Sequence, residues 1–293
     1  VLPKARKDMV FYQGGIMVEF EQKPQYKIAD LQEIVRLLRT PEGCPWDREQ
    51  THTSIRNDFL EEAYEVADAI DLGDAALLRE ELGDVLLQVV FHCTLAQEEK
   101  HFVFDDVCDE VCKKLIVRHP HVFGDVQAED TDTVLKNWDA IKKQTKGQKT
   151  YAETLESVAK SLPALARAQK VGKRAARAGM DFGDVAAAFD CVRAERAELQ
   201  AAISDGNAAM MEEELGDLLF SCVNTARHLG IDAEQALTKA TNKFIERFAA
   251  AEQLATADGR EMSALTVTEL DGYWENAKEA MRQAQQKSNK EKM

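Results

Sequence analysis

At 293 residues the chain can bury two modest cores or one large one, and a composition of 45% hydrophobic and 30% charged residues with only 6 prolines excludes a disordered or fibrous protein. Its net charge of −15, from 37 Lys and Arg against 52 Asp and Glu, gives an average field that repels nucleic acid and anionic membranes, so no direct nucleic-acid binding is expected. The 6 cysteines are scattered without a CxxC pair, and no apolar run approaches the roughly 20 residues that a bilayer-crossing helix needs, which together point to a soluble protein of the reducing cytoplasm.

In chain order, residues 1–27 carry charges and a Gly14-Gly15 pair but no signal-peptide core, and read as an N-terminal extension, disordered or foreign to the fold. Asp30 with Glu33 resembles a capping box opening the first helix. Farther on, Phe59, Ala63, Val66, Ala67 and Ile70 repeat at helical spacing, Asp71-Leu72-Gly73-Asp74 breaks the helix, and Leu82, Val85, Leu86, Val89 and Val90 form the next apolar stripe. The run Lys142-Lys143-Gln144-Thr145-Lys146-Gly147-Gln148-Lys149 is polar and aperiodic, so it reads as a linker between a domain over residues 28–145 and another over 150–282. In the second domain Asp205-Gly206-Asn207 breaks the corresponding helix, and residues 283–293 read as a frayed, charged tail. No convincing run of alternating β-branched residues occurs, so the expected fold class is all-α.

The two halves repeat one another. A single offset carries Glu62, Glu65, Glu81 and Asp84 onto Glu195, Glu198, Glu214 and Asp217, within the matching runs Glu80-Glu81-Leu82-Gly83-Asp84 and Glu213-Glu214-Leu215-Gly216-Asp217. With small insertions the match continues from Lys114 and Arg118 to Lys243 and Arg247, and from Trp138 and Lys142 to Trp274 and Lys278.

Within each helix the paired acids are three residues apart and share a face. Glu198 and Glu214 stand equally far from Gly206, as do Glu195 and Asp217, so the two arms of an antiparallel hairpin bring them level. Glu65 and Glu81, then Glu62 and Asp84, stand nearly level about Gly73. Carboxylates converging in a partly dry site must take up protons or collect a cation. An all-oxygen donor set selects a hard ion, Mg²⁺ with Mn²⁺ as a substitute, and Mg²⁺ shares itself with phosphate oxygens. The substrate class suggested is a polyphosphate. Lys243 with Arg247, and Lys114 with Arg118, supply one-turn pairs of cations for phosphates, while Trp274 and Trp138 offer a ring for a base or ribose beside Lys278 and Lys142. The plainer alternatives are solvated acidic faces, solubilising cations and core tryptophans; repetition in register favours the site.

Other chemistries fit less well. Cys108 and Cys112 upstream of His119 and His121 can be drawn as a zinc site, though a buried helix face is the simpler reading. Glu49-x-x-His52 and Glu98-x-x-His101 have the spacing of a di-iron bundle, but they flank the hairpin and the second copy has no counterpart. A non-catalytic nucleotide sensor or partner-binding scaffold is the alternative from another class.

From about Ile28 to about Arg282 the chain resembles the two-domain MazG nucleoside triphosphate pyrophosphohydrolases. The carriers of the resemblance are Glu61-Glu62-Ala63-Tyr64-Glu65 with Glu81-Leu82-Gly83-Asp84, the run Gly43-Cys44-Pro45-Trp46-Asp47, and Arg118-His119-Pro120-His121-Val122-Phe123. The resemblance implies two tandem all-α domains whose four-helix bundles are completed in a homodimer. It also implies Mg²⁺-dependent cleavage of nucleoside triphosphates between the α and β phosphates, breadth towards standard and non-standard bases, and a housecleaning or stress role. Hydrolysis of phosphoribosyl-nucleotides, performed by similar helical enzymes, is a related possibility that two full domains argue against. Carried over by position, Glu195, Glu198, Glu214 and Asp217 correspond to metal ligands of the domain that usually carries the main activity. Lys243 and Arg247 correspond to its phosphate contacts, and Trp274 and Lys278 to its nucleotide contacts. Glu61, Glu62, Glu65, Glu81, Asp84, Lys114, Arg118, Trp138 and Lys142 form a second candidate set in the first domain. The second copy departs from the pattern at Ala194, where a doubled Glu would begin, and at Cys191 and Met210, where some relatives have Lys.

Overall fold

The computed structural model describes residues 18, 20–124 and 150–291; most of the N-terminal extension, Trp138, Lys142 and the polar linker to Lys149 lie outside the described residues. The described residues divide into two units, one within Val1–Ile141 and one within Lys142–Met293, and both are helical without a strand.

The first unit comprises α1 (Ile28–Leu38), α2 (Pro45–Glu49), α3 (Arg56–Leu72), α4 (Ala75–Glu98), α5 (Phe104–Arg118) and α6 (Pro120–Phe123). The start of α1 differs from the sequence expectation. Asp30 is its third residue, not its cap, and accepts the Lys27 backbone N–H at 2.8 Å. Glu33 instead turns outward to Arg36, at 2.7 and 2.8 Å. Helices α3 and α4 form the expected antiparallel hairpin. Gly73 ends α3 in the left-handed conformation (φ 68°), a backbone state that only glycine adopts without a Cβ penalty. Asp74 then opens α4, its carboxylate accepting the N–H groups of Ala76 and Leu77 at 2.9 and 3.1 Å. The core gathers Val35 of α1, Ile55, and Val90, Phe91 and Leu95 of α4, with Leu31, Leu87 and Phe104 packed around it.

The Gly43-Cys44-Pro45-Trp46-Asp47 run is a corner between α1 and α2. The Cys44 N–H donates to the Leu38 carbonyl at 2.7 Å, Pro45 occupies the first helical position, and a Cβ on Gly43 would lie 2.3 Å from the carbonyl oxygens of both Leu37 and Leu38. Backbone cannot yield there as a flexible side chain can. Gly43→Ala is expected to cost about 3 kcal/mol or more, seen as a lowered first transition in calorimetry with the second unit unchanged.

The second unit comprises α7 (Tyr151–Glu156), α8 (Ala164–Arg177), α9 (Val185–Asp205), α10 (Ala208–His228), α11 (Ala233–Ala257), a 3₁₀ turn (Met262–Ala264) and α12 (Val267–Glu291). Thus α12 runs on past Gln283, where the charge pattern predicts a frayed tail. The α9–α10 hairpin repeats the first in detail: Gly206 is left-handed (φ 67°), and the Asn207 side chain accepts the Met210 N–H at 3.3 Å. The buried positions of the second unit are mostly small, among them Ala188 and Ala202 of α9, Ala251 and Ala255 of α11, and Ala277 of α12.

Two polar clusters fix α10 and its neighbours. Buried Gln169 of α8 donates to the Ile231 carbonyl at 2.8 Å and accepts the Ala233 N–H at 2.9 Å, tying α8 to the α10–α11 turn. Asp181 receives the Arg227 guanidinium and, at 2.9 Å, His228 Nε2. The Arg227 hydrogen bonds, then that of His228, hold the Asp181 carboxyl well below the usual carboxylate range against the opposing effect of burial. A depressed carboxyl contributes stability that is complete above its unfolded value of about 3.9 and drains away as pH falls towards the folded value. Asp181→Asn is therefore expected to lower stability at pH 7 by about 2 kcal/mol and to flatten the acid limb of the stability curve below about pH 4, measured by denaturant titration across pH.

Candidate functional site

Each hairpin brings carboxylates from both of its arms into one group. In the first unit Glu62 of α3 and Glu81 and Asp84 of α4 place carboxylate oxygens within 4.8 Å of one another, all three half-buried. In the second, Glu195 of α9 meets Glu214 and Asp217 of α10 within the same distance, with Asp217 exposed. The two caps that fix the hairpin turns, Gly73-Asp74 and Gly206-Asn207, set this register: shifting either arm by one residue would swing the acids off the shared face.

The electrostatics follow the level pairs. Burial first, and then Glu65, Glu80 and Asp84, raise the Glu81 carboxyl above its ordinary value. Glu62 is raised by burial, by Asp84 and by Glu65. In the second unit burial and then Glu198, Glu213, Asp217 and Glu195 raise Glu214. The strongest charge repulsion on Glu81 thus comes from Glu65, and that on Glu214 from Glu198, the residues level with them about the turn. These are carboxylates held together at a cost, with no cation among the described side chains inside either group. An all-oxygen donor set that resists its own charge fits a hard divalent ion.

The other candidates are placed as follows. Glu61 is exposed and stands outside the three-carboxylate group, and Glu65 and Glu198 adjoin their groups through charge. Lys243 is exposed and Arg247 half-buried, one turn apart on α11, and neither forms an ion pair among the described residues. In the first unit Lys114 is exposed and Arg118 half-buried at the end of α5. Trp274 of α12 packs its ring on Phe244 of α11, with centroids 5.0 Å apart, next in sequence to Lys243. Lys278 is held by both oxygens of Glu275 at 3.1 Å. Sequence reasoning marked Cys191 only as a missing Lys. Its thiol lies 3.5 Å from a Glu195 oxygen and 3.4 Å from Ser221 Oγ, at the edge of the second group. One helical turn between Cys191 and Glu195 was the available signal.

The rival metal sites do not assemble among the described residues. Glu98 is taken by the Arg39 guanidinium through two bonds of 2.7 and 2.8 Å, His101 lies 3.1 Å from Glu99, and His52 faces His92. Neither the two ExxH pairs nor Cys108, Cys112, His119 and His121 bring three ligand atoms together.

A family pattern described as the MazG nucleotide pyrophosphohydrolase domain matches twice, over residues 50–123 and 177–250. The chain belongs to the MazG nucleotide pyrophosphohydrolase family. Each matched MazG segment contains one complete carboxylate hairpin and the cation pair that follows it, whereas Trp274 and Lys278 lie beyond the second. Among relatives, the nucleoside triphosphate pyrophosphohydrolase of Escherichia coli (strain K12) is 46% identical over 248 residues, covering 84% of this chain and 94% of that protein. A Thermotoga maritima protein named nucleoside triphosphate pyrophosphohydrolase/pyrophosphatase MazG is 44% identical over 249 residues, covering 85% of this chain and 94% of its own. The uncharacterized protein YabN of Bacillus subtilis (strain 168) is 40% identical over 268 residues, 91% of this chain but 55% of YabN.

Proposed function

We propose that the chain is a nucleoside triphosphate pyrophosphohydrolase, cleaving between the α and β phosphates to release a nucleoside monophosphate and pyrophosphate. The observation that carries this reading is the closure of carboxylates from both arms of each MazG hairpin to within 4.8 Å. The names of the Escherichia coli and Thermotoga maritima relatives, matched over 94% of their lengths, support it.

Glu195, Glu198, Glu214 and Asp217 are the ligands assigned to the second unit, with Glu62, Glu65, Glu81 and Asp84 as the equivalent set in the first. A bound Mg²⁺, or Mn²⁺ in its place, would supply charge neutralisation for the triphosphate and a water of lowered pKa. Lys243 and Arg247 take phosphate oxygens, Arg as a two-pronged donor and Lys as a point charge. Trp274 presents its free surface to the nucleoside, and Lys278 leaves Glu275 to bind beside it. In-line attack on the α-phosphorus requires only that a carboxylate of the group accept a proton from the attacking water.

A homodimer completing four-helix bundles accounts for the apolar side chains left exposed on the hairpins. Ile70, Leu82 and Leu86 in the first unit, and Leu215, Leu219 and Phe220 in the second, are each at least 40% exposed. Ala63 and Ala67 of the expected α3 stripe are likewise exposed, whereas Ala69 is the residue that α3 buries. All six cysteines are free thiols, and no described helix is long and apolar enough to cross a membrane.

Phosphate release coupled to an inorganic pyrophosphatase tests the assignment across several nucleoside triphosphates. Phosphate should appear only when Mg²⁺ and the coupling enzyme are both present. Tight nucleotide binding without turnover would mark a non-catalytic sensor instead.

A further inference from the structure

His52 and His92 form an unusual pair that the carboxylate chemistry does not use. His92 lies on α4 two turns beyond Asp84, and His52 lies in the segment that leads from α2 into α3. Their Nδ1 atoms are 2.8 Å apart, the ring planes differ by 4°, and the centroids are 5.0 Å apart. The centroids exceed the nitrogens in separation by about the sum of two ring radii. The rings therefore meet edge to edge in nearly one plane, sharing a hydrogen bond, and are not stacked face to face. Phe59 of α3 lies against His92 with centroids 5.9 Å apart.

One proton must sit between the two Nδ1 atoms, donated by one ring and accepted by the other. A first added proton fits on Nε2 of His52, which looks towards Glu99 at 3.9 Å, and leaves the Nδ1 bond intact. A second would put a proton on both facing nitrogens, and the bond could not survive. The charged groups around the pair are Glu99 with its partner His101, and the Arg39–Glu98 ion pair. The Arg39 guanidinium also reaches the carbonyls of Asp47 and Gln50 in the segment that carries His52.

We propose that His52 and His92 are a proton-sharing clamp that positions the start of α3 against α4, and thereby the register of Glu62 and Glu65 against Glu81 and Asp84. Acid opens the clamp when the pair gains its second proton. Burial and the neighbouring His52 hold His92 below the ordinary imidazole value, in keeping with a ring that must stay neutral for the bond to persist. The pair acts on position, not on substrate. Its effect on cation binding rests on the reading of the first carboxylate group as a metal site, whereas the shared proton does not.

The test follows both. In the full chain, ¹⁵N spectra of the 6 histidines, with His52 and His92 identified by substitution, are recorded from pH 8 to pH 5 at intervals of about half a unit. The clamp predicts that the two rings titrate as a coupled pair in separated steps. In His92→Asn, and independently in His52→Asn, the remaining ring should titrate in a single step, and His92 should stay below the ordinary imidazole value because its burial is unchanged. An Asn amide can replace the hydrogen bond without titrating, so these variants also test the positioning role. With the second group silenced by Glu214→Gln and Asp217→Asn, Mn²⁺ affinity of the parent should fall between neutral and mildly acidic pH by about tenfold more than that of His92→Asn. Glu62 and Glu81 protonate in both proteins and so cancel from this comparison. Independent single-step titration of the two rings in the parent would overturn the shared proton. Coupled titration with superimposable Mn²⁺ profiles would overturn the positioning role.

Discussion

Replacing Glu81 and Glu214 by Gln together with Asp84 and Asp217 by Asn is expected to lower nucleoside triphosphate turnover by at least about 10³-fold. Neutral amides keep the shape of each group while removing the charge that holds a divalent ion, whose contribution to such a transition state is several kcal/mol, at tenfold in rate for each 1.36 kcal/mol. The half-sets discriminate between the units. Family resemblance favours the second group, but the first is the more enclosed: all three of its carboxylates are half-buried, and two of them, Glu62 and Glu81, are raised. If the second unit carries the reaction, Glu214→Gln with Asp217→Asn alone removes nearly all turnover, and Glu81→Gln with Asp84→Asn leaves most of it. Retention of full turnover in the fourfold variant would sink the assignment of the carboxylates to catalysis.

The second large effect is thermodynamic and needs no substrate. Carboxyls raised in the fold bind protons more tightly there than in the unfolded chain, so metal-free protein should gain stability as pH falls from neutral through the raised values towards the unfolded value of about 4.3. This is opposite in sign to the Asp181 contribution, which is lost only at still lower pH. At neutral pH a divalent ion should relieve the same repulsion. Mg²⁺ at about 100 times its dissociation constant adds about 2.7 kcal/mol per site, or roughly 5–10 °C in melting temperature for a unit of this size. The fourfold Gln/Asn variant should melt higher than metal-free parent and ignore Mg²⁺. Calorimetry with and without chelator measures both. A variant that melts lower than the metal-free parent would show that the groups stabilise the fold by themselves and are not strained in wait for a cation.

The features legible in the sequence are those written in local chemistry. Gly73-Asp74 and Gly206-Asn207 each combine a residue that tolerates positive φ with one that caps the next helix, so the turns fall where expected, and the acids counted from them come level. Helical spacing alone then places Glu65 opposite Glu81 and Glu198 opposite Glu214. Contacts between residues distant in sequence were not legible. Arg39 reaches Glu98 across 59 residues and Asp181 reaches Arg227 across 46, distances over which periodicity carries no information. His52 read as half of an ExxH motif because spacing suggested a ligand, yet packing turned its ring to His92. The cap at Asp30 was misplaced because the spacing of Asp30 and Glu33 suits a capping box, whereas an acidic residue near a helix start serves equally as cap or as third residue, and the Lys27 backbone N–H settles which. The period of α3 marks Phe59, Ala63, Val66, Ala67 and Ile70 as one apolar stripe, but Ala63, Ala67 and Ile70 are exposed and Ala69 is the residue buried, because period does not say which neighbour covers a face.

Hydrolysis in H₂¹⁸O with Mg²⁺, read by mass spectrometry of both products after a single turnover, tests the central claim most directly. Attack of water on the α-phosphorus predicts one ¹⁸O in the nucleoside monophosphate and none in the pyrophosphate. Label in pyrophosphate, or products consisting of a nucleoside diphosphate and phosphate, would contradict it.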